Sequence, residues 1–79
     1  MSNPRKEKSS NYLMAIEWVD EFLANNEPLI DVRCFDNHIM HNSHQTLELW
    51  KNRLLNNTGA EERSAYIRIK KFKDWYNGK

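Results

Sequence analysis

The sequence has few cysteines, glycines and prolines, and each shortage excludes a class of protein. A single cysteine, Cys34, cannot form an intramolecular disulfide, so a disulfide-stapled secreted fold is excluded. Two glycines and two prolines among 79 residues exclude a collagen-like or low-complexity chain. No apolar run approaches the roughly 18 residues that a membrane span requires. We therefore expect one small cytoplasmic domain that does not associate with membranes.

Net charge is also low, but the two signs are separated along the chain. Twelve basic and 11 acidic residues leave a net charge of +1. Residues 15–36 carry six acidic residues and one basic residue, whereas residues 63–79 carry six basic residues and one acidic residue. Regions of opposite sign can attract each other within the fold, between two copies, or toward separate partners.

Apolar residues recur at helical spacing in three segments, at about 11–25, 43–56 and 58–76. We expect an all-α bundle of three or four short helices over residues 11–79, preceded by a flexible basic arm at 1–10. The predicted core consists of Ile16, Val19, Leu23, Leu47, Trp50, Leu54, Ile69 and Phe72.

The third segment carries the clearest local signal. Thr58-Gly59-Ala60-Glu61 fits a capping box, in which the Thr58 hydroxyl accepts from the Glu61 N–H and the Glu61 carboxylate reaches back to the Thr58 N–H. A helix is therefore expected to begin here. Its buried stripe is predicted to contain Ala65, Ile69, Phe72 and Tyr76.

Residues 29–41 fit two structures. Ile30, Val32 and Cys34 alternate with charged residues, as in a short half-buried strand at 29–35, whereas apolar residues at 32, 35 and 39 fit one side of a helix. We prefer the helix because no second segment with strand periodicity is visible to pair with the first. The strand is the alternative if two copies pair their strands across a dimer axis.

One cluster resembles a metal site. On a helix, Cys34, His38 and His41 would lie at i, i+4 and i+7, with His44 beyond them, and thiolate and imidazole are ligands for Zn²⁺. A fourth ligand is missing, and the spacing matches no common zinc motif. Core packing of the cysteine is the simpler interpretation. Without a Gly-rich phosphate loop or a nucleophile motif, we predict neither an enzyme nor a cofactor.

The first functional hypothesis is a protein interface. Three Trp, three Tyr and three Phe are many for so short a chain to bury. Met14, Leu55, Ile67 and Trp75 lie off the predicted core stripes and are the expected binding residues. We predict a non-catalytic regulator that binds another protein, such as an inhibitor or antirepressor among phage or mobile-element accessory proteins. A homodimer would also bury apolar side chains that one short chain cannot cover by itself.

The second hypothesis is a DNA- or RNA-binding module. Arg63, Lys70, Lys71 and Lys73 of the last helix could neutralise phosphates, and the basic N-terminal arm could assist them. Two observations weigh against it. The sequence pI of about 7.9 is low for a nucleic-acid binder, and lysines near a helix C-terminus also complement the helix dipole.

A set of residues between positions 46 and 75 resembles the helical core-binding domain of tyrosine recombinases. The set consists of Thr46, Leu47, Leu49, Trp50, Leu54, Tyr66, Phe72 and Trp75. Any pair of amphipathic helices gives a similar pattern, and no diagnostic recombinase motif accompanies it. No activity, partner or site residue is therefore carried over from that family.

Overall fold

The computed structural model describes residues 8–78, so residues 1–7 of the predicted basic arm lie outside the described part. The order of elements is α1 (Ser10–Asn25), β1 (Ile30–Arg33), β2 (Ile39–Asn42), α2 (Ser43–Asn56) and α3 (Ala60–Asn77). The expectation of a small helical domain is confirmed, but the purely all-α class is wrong because the two strands form a sheet. Within residues 8–78, no helix has the length and apolar character needed to cross a membrane.

Side chains cap the first two helices at their N-termini. The Ser9 hydroxyl accepts from the Tyr12 N–H at 3.3 Å where α1 begins. At the start of α2, the Asn42 Oδ1 accepts from the N–H groups of His44 and Gln45 at 3.0 and 3.2 Å. These bonds satisfy backbone donors that a helix leaves unpaired in its first turn.

The capping box predicted for α3 is wrong. Gly59 precedes the first helical residue, Ala60, and no side chain makes a capping hydrogen bond at this helix. Gly59 has a φ of 69°, which glycine adopts without the steric cost that a side chain would bring. Thr58 thus lies one residue outside the cap position. Glu61 and Glu62 in the first turn instead complement the positive end of the helix dipole.

Residues 30–42 form a β-hairpin, so the helix preferred for residues 29–41 is wrong. β1 and β2 are antiparallel, with Val32 opposite Met40 and Arg33 opposite Ile39. The alternative interpretation, a strand within residues 29–35, is confirmed by β1, but its partner is not a strand of a second copy. The partner lies only a few residues downstream in the same chain, and it satisfies the backbone groups of β1 without a second copy.

The hairpin turns through two residues with left-handed backbone conformation. Asp36 and Asn37 have φ values of 49° and 62°, within the 3₁₀ turn Phe35–Asn37. The His38 N–H donates to the Phe35 carbonyl at 2.8 Å. Positive φ at both central residues is typical of the type I′ turn, whose twist matches that of paired strands. Asp and Asn are the non-glycine residues that tolerate this conformation best.

The core lies between the three helices and the inner face of the hairpin. Leu23 of the predicted core is only partly buried and packs at the margin. Two further residues belong to the core, Met40 of β2 and Phe22 of α1. The ring of Phe22 packs edge to face against the rings of Phe72 and Tyr76, with an interplanar angle of 87° in both pairs. The other seven predicted core residues have at most 3% of their surface exposed, namely Ile16, Val19, Leu47, Trp50, Leu54, Ile69 and Phe72.

A buried serine joins the base of the hairpin to α2. Ser43 is fully buried, and its hydroxyl accepts from the Leu29 N–H at 2.8 Å. The Ser43 N–H donates in turn to the Leu29 carbonyl at 2.9 Å. The ring of His44 lies 2.9 Å from the Asn26 carbonyl just after α1. These bonds set the position of the hairpin relative to the helices.

Candidate binding surface

A groove of about 520 Å³ lies between the hairpin turn and one side of α3. The turn contributes residues near position 36, and α3 contributes residues from its first three turns. This surface, named the basic groove, is lined by Phe35, Asp36, His38, Ala60, Arg63, Ser64, Ile67, Arg68 and Lys71.

Helical spacing determines the α3 side of the groove. Ser64, Ile67, Arg68 and Lys71 follow one another at i, i+3, i+4 and i+7, which places them on one side of the helix. The buried stripe through Ile69 runs beside them and packs α3 onto the core. The groove side of α3 therefore stays open to solvent.

The turn side of the groove carries a pair of stacked rings. The rings of Phe35 and His38 are nearly parallel, with an interplanar angle of 3° and centroids 5.3 Å apart. Both rings also approach Trp50 of α2, at centroid distances of 6.1 and 5.7 Å. The left-handed turn between Phe35 and His38 brings the two side chains together, and Trp50 anchors them to the core.

An ion pair crosses the groove between its two sides. Lys71 Nζ lies 2.6 Å from Asp36 Oδ2, and the two side chains are 50% and 72% exposed. A pair so exposed contributes little to stability, about 0–1 kcal/mol. A carboxylate from a bound molecule can therefore replace Asp36 at small cost.

Cations surround an exposed apolar residue in the groove. Ile67 is 41% exposed and is flanked by Arg63, Arg68 and Lys71. In the part of the chain that the structure describes, neither arginine belongs to an ion pair. An apolar centre with a charged rim is the usual anatomy of a protein interface.

A second depression continues the groove between α2 and α3. It has a volume of about 230 Å³ and shares Ser64 and Arg68 with the basic groove. Trp50 and Arg53 of α2 line its other side, and Glu61 lies at one end. The continuous surface therefore gains one more cation from α2.

The structure separates the four residues predicted for protein binding. Ile67 lies in the basic groove, whereas Met14, which is 60% exposed, lines a depression between α1 and α3. Leu55 and Trp75 are partly buried and pack against the core. Of the four, only Ile67 belongs to the basic groove.

The four cations predicted for nucleic-acid binding are divided in the same way. Arg63 and Lys71 line the basic groove. Lys70 and Lys73 line the depression on the α1 side of α3, together with Met14. The helix thus presents two cationic surfaces rather than one continuous stripe.

The cysteine–histidine cluster does not converge. The thiol of Cys34 is buried and donates to the His38 carbonyl at 3.3 Å, while His41 Nδ1 lies 3.0 Å from Asp31 Oδ1 on the exposed side of the hairpin. His44 lies in α2. Among residues 8–78, no group of three His, Cys, Asp or Glu side chains is placed to hold a metal ion. The zinc hypothesis required Cys34, His38 and His41 to share one side of a helix, and this segment is a hairpin.

Burial also determines the chemistry of the lone cysteine. Desolvation raises the pKa of the Cys34 thiol above its usual range, and backbone hydrogen bonds at Phe35 and Cys34 offset only part of this effect. A thiol with a raised pKa is mostly neutral near pH 7 and is a poor nucleophile. Cys34 therefore acts as a core residue.

Sequence reasoning missed the turn side of the groove. The helix preferred for residues 29–41 does not bring Phe35 and His38 to a turn, although the Asp-Asn dipeptide between them is a turn signal. Arg68 was counted among the cations of the last helix but was not assigned to a site. Arg68 follows Ser64 by four residues and precedes Lys71 by three, which places it on the groove side of α3.

Comparisons of this chain with protein-family models, curated proteins and solved structures give no match. The function is therefore inferred from the geometry of the basic groove.

Proposed function

We propose that this chain is a non-catalytic regulatory protein that binds a partner protein, as inhibitors and antirepressors do. The basic groove holds an acidic, partly apolar segment of that partner. The observation that carries this proposal is the exposed Ile67 flanked by Arg63, Arg68 and Lys71. Apolar contact at Ile67 supplies affinity, and carboxylates facing the cations orient the bound segment.

The dimensions of the groove define the kind of segment it accepts. Its α3 side extends from Ala60 to Lys71, or about 16 Å at 1.5 Å per helical residue. An amphipathic helix of about three turns spans that length. One aliphatic side chain would contact Ile67, and acidic side chains on either side of it would face Arg63 and Arg68.

Fluorescence anisotropy with a labelled probe peptide tests the proposal. The probe is a helical peptide with leucines along one stripe and glutamates beside them. The groove variant is Arg63→Glu with Arg68→Glu, which leaves the contact between Lys71 and Asp36 intact. We expect the affinity for the probe to fall by about tenfold or more, because attraction becomes repulsion.

The matched control is Lys70→Glu with Lys73→Glu, which changes the net charge equally on the other side of α3. We expect this variant to lose much less affinity than the groove variant. Equal losses would indicate non-specific attraction to a basic helix and would contradict a groove-specific site.

Single-stranded nucleic acid is the second candidate, favoured by the stacked rings of Phe35 and His38 beside three cations. Bases stack on such rings while cations contact the phosphates.

A labelled oligonucleotide of single-stranded DNA or RNA in a salt series distinguishes the two candidates. Phosphate binding weakens steeply with the logarithm of salt concentration, whereas an apolar protein contact changes little. Oligonucleotide binding that is tighter than peptide binding, with a steep salt slope, would replace the protein-binding proposal.

A further inference from the structure

One exposed side of α1, next to the depression that Met14 shares with Lys70 and Lys73, carries the apolar and acidic types of side chain that the basic groove would bind. Met14, Glu17 and Glu21 follow one another at i, i+3 and i+7, on one side of the helix. All three are exposed, with Met14 at 60%. This surface, named the acidic face, combines one apolar side chain with two carboxylates.

The fold leaves both the acidic face and the groove arginines unpaired. Within the described range 8–78, neither Glu17 nor Glu21 belongs to an ion pair, and the same is true of Arg63 and Arg68. The neighbouring Asp20 differs, since Lys51 Nζ lies 2.8 Å from its Oδ1. Charges of opposite sign are thus available on two different surfaces of the same molecule.

We propose that the acidic face of one copy docks into the basic groove of a second copy, and that this self-association regulates access to the groove. The inference rests on the proposed function of the groove. Glu17 and Glu21 of one copy would face Arg63 and Arg68 of the next, and Met14 would lie at one end of this contact. At high protein concentration a second copy then competes with the partner protein for the groove.

The two surfaces are different, so the contact joins the molecules head to tail. Contacts of this type form rings or open chains, and a symmetric dimer is not required. An interface formed by one helix face and one groove is small, so we expect weak association that depends on concentration and salt.

Sedimentation equilibrium of the full chain measures this association. At low salt, we expect a weight-average mass that exceeds the 9.5 kDa monomer and rises with concentration. About 0.5 M salt should return the mass toward that of the monomer because charge pairs are screened. A wild-type chain that stays monomeric at about 1 mM would overturn the proposal, since even a weak complex with a Kd near 1 mM populates oligomers there.

Charge reversal shows which surfaces take part. Glu17→Lys with Glu21→Lys makes both surfaces positive, and Arg63→Glu with Arg68→Glu makes both negative, so each variant alone should be monomeric. In an equimolar mixture the unchanged face of one variant meets the unchanged groove of the other, and the reversed face meets the reversed groove, so the variants should associate again. A mixture that stays monomeric while wild type associates would contradict this pairing.

A matched control places the same charge change elsewhere. Glu27→Lys with Glu48→Lys alters two other exposed carboxylates and should associate like wild type. Loss of association in this control would mean that net charge alone explains the loss in the charge-reversal variants, and it would overturn the docking proposal. Circular dichroism of each variant confirms that the helices are retained.

The acidic peptide probe separates this inference from the proposed function. Glu17→Lys with Glu21→Lys leaves the groove unchanged, so this variant should bind the probe at least as tightly as wild type does. If the variant binds the probe but wild type does not self-associate, only the self-association proposal fails. If wild type self-associates with the expected charge pairing but binds no added peptide, the proposed partner binding fails.

Discussion

Leu47 and Leu49 lie two residues apart on α2, but Leu47 is fully buried and Leu49 is 48% exposed. The helical period explains the difference, because two residues correspond to about 200° of rotation around the axis. Identical side chains on one helix therefore have different energetic roles. The same comparison separates Ile69 in the core from Ile67 in the basic groove.

Leu47→Ala should lower the free energy of unfolding by about 2–5 kcal/mol, since it leaves a cavity in a packed core. Leu49→Ala on the exposed side of the same helix should change it by about 0.5 kcal/mol or less. Urea denaturation followed by circular dichroism measures both. Similar losses for the two variants would contradict the orientation of α2.

At the scale of secondary structure elements, the residues flanking each element determine where it begins and how the chain reverses. Asn42 caps α2 with two hydrogen bonds, whereas Thr58 makes no capping bond at α3. The turn between β1 and β2 depends on Asp36 and Asn37 at positive φ. Each of these features can be changed without altering the core.

Asn42→Ala removes the acceptor for the backbone N–H groups of His44 and Gln45. We expect a loss of about 0.5–2 kcal/mol in the free energy of unfolding. Thr58→Ala is the matched control and should change stability by about 0.5 kcal/mol or less. A larger effect at Thr58 than at Asn42 would indicate that Thr58 caps α3 and would contradict the observed start of this helix.

Asn37→Gly should stabilise the protein by up to about 1 kcal/mol, because glycine adopts positive φ without steric cost. Asn52 is exposed in the interior of α2, and Asn52→Gly should instead destabilise the protein by a few tenths of a kcal/mol. Thermal denaturation measures both changes. Destabilisation by Asn37→Gly would contradict the left-handed turn.

The helices could be predicted from sequence because their signals are local and repeated. Val19, Leu54 and Phe72 each belong to a stripe of apolar residues whose period identifies both the helix and its buried side. The hairpin could not be recognised in this way. In β2 only Met40 is buried, so no alternation of several apolar residues marked the strand that pairs with β1.

The same dependence on local signals explains why only the α3 side of the groove can be read from the sequence. The sequence does place Arg63, Ile67 and Lys71 on the exposed side of a predictable helix. Phe35 and His38 reach α3 only because the hairpin folds back and packs on Trp50. That contact joins segments distant in sequence, and a local pattern does not contain it.

At the scale of the whole molecule, folding pairs some of the charges that are separated along the sequence and leaves others exposed. Within residues 8–78, Lys51 of α2 pairs with Asp20 of α1, and Lys8, which precedes α1, pairs with Glu62 of α3. The acidic face of α1 and the arginines of the basic groove take no part in either. Folding thus pairs part of the charge, including Asp36 with Lys71 across the groove, and leaves Glu17, Glu21, Arg63 and Arg68 outside the ion pairs of the described residues.

Chemical-shift mapping by NMR tests the central claim, that the basic groove binds an acidic, partly apolar segment. The labelled chain is titrated with the unlabelled acidic peptide probe at low protein concentration, where self-association is negligible. We predict that the largest amide shifts fall at the hairpin turn around Phe35 and along α3 from Ala60 to Lys71. Shifts confined to other surfaces, or none at saturating peptide, would contradict the claim.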